Sequence, residues 1–133
     1  MKKLFLYIFL VLMFCNVGFA ELSPDFKWKE IGKNEKGDTY FVDDGSIMFE
    51  GDELYFLLLR SKKEPYLDVL SIITRFQTDC SKKSLRSTMK IFFDDKIGKG
   101  AVLQSNTKIG EWLSTGQFSL YRKIINHVCK QKP

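Results

Sequence analysis

Three cysteines are the residues of this 133-residue chain with the most evident covalent chemistry. Cys15 lies in an apolar N-terminal stretch, whereas Cys80 follows a long β-type run and Cys129 stands near the C-terminus. Redox enzymes of the thioredoxin type place two cysteines at C-x-x-C spacing, and no such pair occurs here. If the chain is exported, the even pair that is left predicts a Cys80–Cys129 disulfide, with two reduced core thiols as the alternative.

Other side chains that could catalyse a reaction or bind a metal are few. His127 is the single histidine, and it lies near the end of a predicted helix, where an imidazolium suits the dipole. The acidic pairs at 43–44 and 94–95 stand in turn contexts, which favour Asp for backbone reasons, and neither fits a calcium loop. The serines lack a G-x-S-x-G context. The sequence therefore predicts no enzyme, no metal site and no cofactor.

Basic residues offer binding chemistry instead. Lys62 and Lys63 precede the long β-type run, Lys82 and Lys83 follow it, and Arg86 comes shortly afterwards. If that run joins the two lysine pairs along its length, they lie at opposite ends of the sheet. Each pair is either a solvated turn or part of a face that binds a polyanion or a protein.

The net charge limits the classes of partner. The chain carries a formal charge of +5, of which Lys2 and Lys3 contribute two, so the rest of the chain carries +3. Dedicated nucleic-acid-binding proteins concentrate basic residues on one face much more strongly than this balance suggests. We therefore expect no nucleic-acid partner.

The first 20 residues have the layout of a secretory signal peptide. Lys2 and Lys3 are followed by an uncharged apolar run, and Gly18 and Ala20 occupy the −3 and −1 positions of a cleavage site. The run is shorter than the roughly 20 residues of a spanning helix, although an uncleaved anchor is the alternative. Cys15 follows the bulky Phe14, so lipid attachment is not expected. We predict a single domain at 21–133, periplasmic or secreted, with no membrane span after cleavage.

Short apolar runs separated by turn signals recur from Trp28 to Ser105, which is typical of an antiparallel sheet. The run at 53–60 is apolar on both faces, which predicts a central strand covered on both sides. The segment at 61–65 is predicted to be a loop, because Pro65 cannot donate to a strand ladder. One parity of the central strand is either a dimer face or part of the monomer's own core: Tyr55, Leu57 and Leu59.

The later runs predict where a helix must pack. Between 67 and 79 one parity carries Ile72 and Phe76 and extends to Cys80, so the cysteine should lie on the helix-covered face. Alternation between 85 and 93 places four apolar residues on one face: Leu85, Met89, Ile91 and Phe93.

A helical period begins at Ser119, with a stripe of Tyr121, Ile124, Ile125, Val128 and Cys129. Ser119 is one candidate N-cap, and Ser114 with Gln117 would start the helix a turn earlier. The sequence thus predicts an α+β domain in which a C-terminal helix is stapled to a curved antiparallel sheet.

Several residues recur in a familiar order along nearly all of 21–133: Trp28, Asp43, Ile47, Asp79, Cys80, Arg86, Trp112, Val128 and Cys129. In this order the chain resembles the surface-adhesin protein E family of Gram-negative bacteria. The resemblance implies an antiparallel sheet of about six strands, with the C-terminal helix tied to its concave face by a disulfide. Members include host-binding surface lipoproteins that contact extracellular-matrix and plasma proteins, which implies host or envelope proteins as partners.

These observations favour a non-catalytic, exported, adhesin-like binding module that contacts proteins outside the inner membrane. Its expected binding surface comprises Lys62, Lys63, Lys82, Lys83 and Arg86. The alternative is a periplasmic structural or envelope-stress protein, forming a homodimer, that has no extracellular ligand.

Overall fold

The computed structural model describes residues 26–117 and 119–132, so the predicted signal peptide lies outside the described residues. Eight strands and one helix follow in chain order: β1 Trp28–Lys33, β2 Thr39–Asp43, β3 Met48–Glu50, β4 Glu53–Tyr66, β5 Val69–Asp79, β6 Ser84–Phe93, β7 Val102–Asn106, β8 Leu113–Ser114 and α1 Leu120–Cys129. Two 3-10 turns, Asp44–Ser46 and Lys96–Gly98, interrupt the connections.

One antiparallel sheet contains every described strand. Six strands form a continuous path in the order β1-β2-β4-β5-β6-β7, while β3 pairs with β4 and β8 pairs with β6. The predicted α+β sheet of about six strands is confirmed, with two short strands added. β4 lies in the interior of the sheet, as its apolar residues on both faces predicted.

β4 continues further than the sequence suggested. It runs through Pro65 to Tyr66, so the predicted loop at 61–65 was wrong. The register with β5 shifts between Ser61 and Tyr66, so Pro65 has no paired residue in β5. The missing N–H of proline therefore breaks no hydrogen bond of the β4–β5 ladder. Leu67 and Asp68, with φ of 50° and 69°, form a two-residue hairpin loop, and β5 begins only at Val69.

The sheet has two differently covered faces. The helix face is the side on which α1 packs, and its buried cluster includes Val42, Leu54, Phe56, Leu58, Phe76, Leu85, Ile124, Ile125 and Val128. The far face is the opposite side, and its buried cluster contains Leu59, Ile73, Met89, Ile91 and Phe93. The 3-10 turn Lys96–Gly98 covers part of the far face, since a Cβ at Gly98 would lie 3.1 Å from Ile73 Cδ1.

A β-bulge in β6 changes which side chains share a face. The β5–β6 register shifts by one residue, and Thr88 is the residue that has no partner in β5. Leu85 therefore packs with the helix-face cluster, whereas Met89, Ile91 and Phe93 pack on the far face. The prediction that Leu85 shares a face with the later apolar residues of β6 was wrong, because a bulge reverses the alternation beyond it.

The helix is held by a cap, an apolar stripe and the disulfide. Ser119 is the N-cap, since its hydroxyl oxygen accepts a hydrogen bond from Arg122 N at 3.1 Å, which decides between the two predicted starts. Cys80 and Cys129 are disulfide-bonded, with Cα atoms 5.9 Å apart, so the predicted staple is confirmed. Within the described residues, no helix is both long enough and apolar enough to cross a membrane.

Candidate binding grooves

The residues that resemble catalytic groups make structural contacts. His127 Nε2 lies 2.7 Å from Asp44 Oδ1, which joins α1 to the 3-10 turn after β2. The Asp43 carboxylate accepts hydrogen bonds from the backbone N–H groups of Lys27 and Gly45. In residues 26–117 and 119–132, no three histidine, cysteine or acidic side chains gather closely enough to hold a metal ion.

Asp38 is a buried carboxylate that the sequence did not single out. Its side chain is 4% exposed and contacts Arg60 at 2.8 Å and Lys62 at 3.7 Å. It also accepts hydrogen bonds from Lys63 N at 3.0 Å and from Asn34 Nδ2 at 3.4 Å. Burial alone would raise the pKa of Asp38, but the hydrogen bonds from Lys63, Arg60 and Asn34, together with the charge of Lys62, lower it to about 2.

The five predicted binding cations do not form one surface. Lys62 and Lys63 lie at the Asp38 end of the sheet, and β5 separates them from Lys82 and Lys83, as the sequence predicted. Lys83 Nζ donates a hydrogen bond to Asn126 Oδ1 of α1 at 3.1 Å. Arg86 lies elsewhere, on the far face.

Lys83 belongs instead to a shallow basic groove around the solvent side of α1. The groove has a volume of about 990 Å³, and its charged residues are Lys29, Glu30, Lys33, Lys83, Arg122, Lys123 and Lys130. These residues come from β1, α1 and the turn before β6, so only the tertiary fold brings them together.

Two arginines stack on aromatic rings on the far face. Arg75 Cζ lies 4.6 Å from the centroid of the Tyr55 ring, and Arg86 Cζ lies 4.7 Å from that of Trp112. Between them, Gln77 is 6% exposed, and its amide accepts from Arg86 Nε at 2.8 Å and donates to Glu53 Oε1 at 2.7 Å. Each guanidinium is thus held in a defined orientation by a ring, and Arg86 is also held by a buried amide.

These side chains surround a groove of about 370 Å³, which we call the arginine groove. Its lining consists of Met48, Phe49, Glu50, Tyr55, Arg75, Gln77, Arg86, Thr88, Met89, Thr107 and Ile109. Two apolar residues of this lining remain 59% exposed, Met48 and Ile109, and Trp112, which is 39% exposed, lies next to the groove against Arg86. Of the five predicted binding cations, only Arg86 lines this groove.

The arginine groove was not predicted from the sequence, because its contacts depend on strand register. Tyr55 and Arg75 are diagonal neighbours on paired strands, because Tyr55 pairs with Gln77 and Leu57 pairs with Arg75. Such a contact can be found only after the register of β4 and β5 is known. Trp112 reaches Arg86 because residues 107–114 follow the edge of β6, where Gly110 N donates to Ser87 O at 2.8 Å.

The predicted dimer residues differ in their burial. Leu59 is fully buried in the far-face cluster of one chain, which matches the alternative of burial within the monomer. Tyr55 and Leu57 are half-buried, with Tyr55 beneath Arg75. A dimer through these two residues stays a prediction.

Replacement of Leu57 by lysine tests that dimer. Because Leu57 is only half-buried, its side chain can turn a charge toward solvent, so we expect a folded monomer. Sedimentation equilibrium should show a dimer for the native chain and a monomer for Leu57→Lys with an unchanged circular dichroism spectrum. An unfolded variant would show that Leu57 belongs to the core, and a native chain that sediments as a monomer would exclude the dimer.

Comparisons with known proteins agree with this architecture. The family model for surface-adhesin protein E matches residues 28–130. No curated protein sequence matches the chain. A selenomethionine form of Haemophilus influenzae protein E superposes with a TM-score of 0.63 at 16% identity, covering 80% of this chain and 90% of that chain. A second crystal form of the same protein gives a TM-score of 0.59 at 19% identity, covering 80% and 91%.

A third structure, protein E from non-typeable Haemophilus influenzae, has a TM-score of 0.58 at 17% identity and covers 80% of this chain and 78% of that chain. At identities this low, the structural matches show that the fold is shared and no more. The family match spans both disulfide cysteines and every described strand and helix residue, from β1 to the end of α1. The chain belongs to the surface-adhesin protein E family.

Proposed function

We propose that this protein is a non-catalytic, exported binding module that contacts proteins outside the inner membrane through the arginine groove. The observation that supports this proposal is the pair of stacked arginines, Arg75 on Tyr55 and Arg86 on Trp112, beside exposed apolar side chains. Arginine, tyrosine and tryptophan are the residues most enriched at the energetic centres of protein interfaces. Membership of an adhesin family agrees with such a role.

The groove also has the preorganisation that binding favours. The aromatic rings already restrict the two guanidinium groups, so less side-chain entropy is lost when a partner docks. Within the described part of the chain, no carboxylate lies within ion-pair distance of Arg75 or Arg86. Both cations can therefore pair with acidic groups of a partner, while Met48, Ile109 and Trp112 supply apolar contact area.

Two substitutions test the groove. Trp112→Ala removes an exposed anchor, and Arg75→Ala removes a cation whose side chain contacts Tyr55. For a residue at the centre of an interface, truncation costs about 2 kcal/mol or more, which corresponds to roughly thirtyfold weaker binding. Surface plasmon resonance against a panel of immobilised extracellular-matrix and plasma proteins should show this loss for both variants.

A matched control lies on the edge strand β7. Leu103 is 44% exposed and lies outside the arginine groove, so Leu103→Ala should bind like the native chain. Equal affinity of all three variants for a bound panel protein would exclude the groove as the interface. A native chain that binds no protein of the panel would contradict the adhesin-like function itself.

The compartment is the second part of the proposal. We place the mature chain in the periplasm or outside the cell, and binding to host proteins requires that a fraction reach the surface. Protease shaving of intact cells should remove that fraction while leaving a periplasmic marker protein intact. Strictly periplasmic protein would favour the structural or envelope-stress alternative.

A further inference from the structure

A third cavity, separate from the basic groove and the arginine groove, lies on the helix face beside α1. It has a volume of about 470 Å³, which is within the range of about 300–1,000 Å³ that is usual for small-molecule sites. Its floor is apolar and is formed by side chains of β4, β5 and β6: Leu58, Ile72, Phe76 and Leu85. The helix α1 covers only part of this sheet face and leaves the pocket open beside it. Tyr121 of α1 forms one side of the pocket. We call this cavity the helix-face pocket.

The opposite side of the pocket is a fixed wall made by residues 110–111 and 113–116, whereas Trp112 does not line it. At its start, Gly110 N donates to Ser87 O at 2.8 Å, and a Cβ at Gly110 would lie 2.9 Å from Ser87 Oγ. At its end, Thr115 accepts two hydrogen bonds from the Arg122 guanidinium, at 2.8 Å to its hydroxyl and 2.7 Å to its carbonyl. The wall is therefore anchored to β6 and to α1, which makes the pocket preformed.

Two cations and one acid line the pocket. Arg60 is oriented by Asp38 at 2.8 Å and lies 5.6 Å from the centroid of the Tyr40 ring. The half-buried Lys90 has no ion-pair or side-chain hydrogen-bond partner among residues 26–117 and 119–132. The acid, Glu111, is exposed at the rim. Among the described cations that line the pocket, Lys90 is therefore the one left to pair with an anionic ligand.

The tyrosine side of the pocket carries no negative charge that would repel an anion. Burial, with a smaller contribution from the nearby Tyr40, raises the pKa of Tyr121 to about 12. The phenol is therefore uncharged at physiological pH, and it already shares a side-chain hydrogen bond with Tyr40.

We infer that the helix-face pocket binds a single-chain aliphatic carboxylate, with its apolar chain on the floor formed by Leu58, Ile72, Phe76 and Leu85 and its carboxylate at Lys90. The apolar chain gains from leaving water along this floor. The carboxylate pairs with Lys90, the described cation of the lining that has no acidic partner, whereas Arg60 already forms an ion pair with Asp38. This site is distinct from the arginine groove, which lies on the opposite face of the sheet.

Titration calorimetry with dodecanoate, below its micelle concentration, tests the inference. The native chain should bind one dodecanoate, and Lys90→Glu should weaken binding by about tenfold or more, since it replaces an attraction with a repulsion. Lys99→Glu makes the same charge change on an exposed loop outside the pocket and should bind as the native chain does. Equal affinity of Lys90→Glu and Lys99→Glu would overturn the proposed head-group contact.

Two further measurements separate a site from general hydrophobic adsorption. Dodecyltrimethylammonium carries the same chain with the opposite charge, and it should bind at least tenfold more weakly than dodecanoate. Leu113, which is 61% exposed at the pocket wall, can be changed to aspartate without disturbing the core, and this variant should also lose affinity. Equal binding of both amphiphiles, or no saturable binding of dodecanoate by the native chain, would overturn the inference.

Near-UV circular dichroism establishes that each variant is folded. If Lys90→Glu does not fold, Lys90→Gln and Leu113→Asp carry the test, with the same loss of affinity expected. Trp112→Ala should leave dodecanoate binding unchanged, because Trp112 does not line the helix-face pocket. The arginine groove and the helix-face pocket can therefore be confirmed or rejected independently.

Discussion

Replacing both Cys80 and Cys129 with serine should lower the free energy of unfolding by about 4 kcal/mol. The two cysteines are 49 residues apart in sequence, and the bond removes the conformational entropy of that loop from the unfolded chain. A domain of this size has a total stability of about 5–15 kcal/mol, so the loss is a large fraction of it.

The location of the bond adds to its effect. Cys80 ends the long central part of the sheet and Cys129 is the last residue of α1, so the disulfide fixes the helix end farthest from its N-cap. Without it, the apolar contacts of Ile124, Ile125 and Val128 and the polar contacts of α1 with its neighbours must hold the helix against the helix-face cluster. We expect α1 to separate first, which would expose that cluster to water.

Urea unfolding followed by circular dichroism measures the loss. The native chain in reductant should lose about as much stability as the double serine variant, whereas the variant should not respond to reductant. Intact mass without reduction should be lower by two hydrogen atoms than after reduction. A double variant within about 1 kcal/mol of the native chain would show that the bond contributes little beyond packing.

Asp38→Asn should lower the free energy of unfolding by about 2 kcal/mol at neutral pH, because it removes the negative charge that Arg60 and Lys62 share. The native carboxylate also accepts a hydrogen bond from the Lys63 backbone at 3.0 Å. An asparagine retains one acceptor oxygen but carries no charge to balance two cations. Asp68→Asn is the matched control, since Asp68 is exposed in the hairpin loop after β4.

The pH dependence of this effect has a definite sign. The pKa of Asp38 is about 2 in the folded chain and 3.8 in the unfolded chain. The contribution of the Asp38 charge to stability is therefore nearly complete above about pH 4. It is lost as the pH falls from about 4 to about 2, where the folded chain also takes up the proton. The native chain should therefore approach the stability of Asp38→Asn at about pH 2, while Asp68→Asn should follow the native curve.

Urea unfolding at a series of pH values between neutral and strongly acidic gives both curves. A difference between the native chain and Asp38→Asn that stays constant down to pH 2 would contradict a charge-based role for Asp38. In that case the loss at neutral pH would reflect packing or hydrogen-bond geometry alone.

Much of the fold could be predicted because its signals are local. The apolar faces of β4, the helical stripe from Tyr121 to Val128 and the Ser119 cap all follow from backbone geometry within one element. The even cysteine pair predicted the staple through cysteine chemistry and the expected compartment alone. These features need no knowledge of which element lies next to which.

The predictions that were wrong concern features that arise from the pairing of one strand with the next. The Thr88 bulge reverses the faces of β6, and Pro65 lies inside a strand because the register breaks beside it. Alternation in the sequence cannot show either feature, because a bulge changes the pairing and leaves the residue types unchanged.

The amino-acid sequence was enough to predict an α+β protein with an export signal and a stapled C-terminal helix, and it contains no recognisable catalytic motif. The tertiary fold was needed to bring Arg75 to Tyr55, Arg86 to Trp112 and Lys90 to an apolar pocket, which are the contacts on which the proposed binding sites rest. The physical reason is that periodicity and capping are encoded within a few neighbouring residues, whereas strand register and the path of 107–116 along β6 depend on the packing free energy of the whole domain.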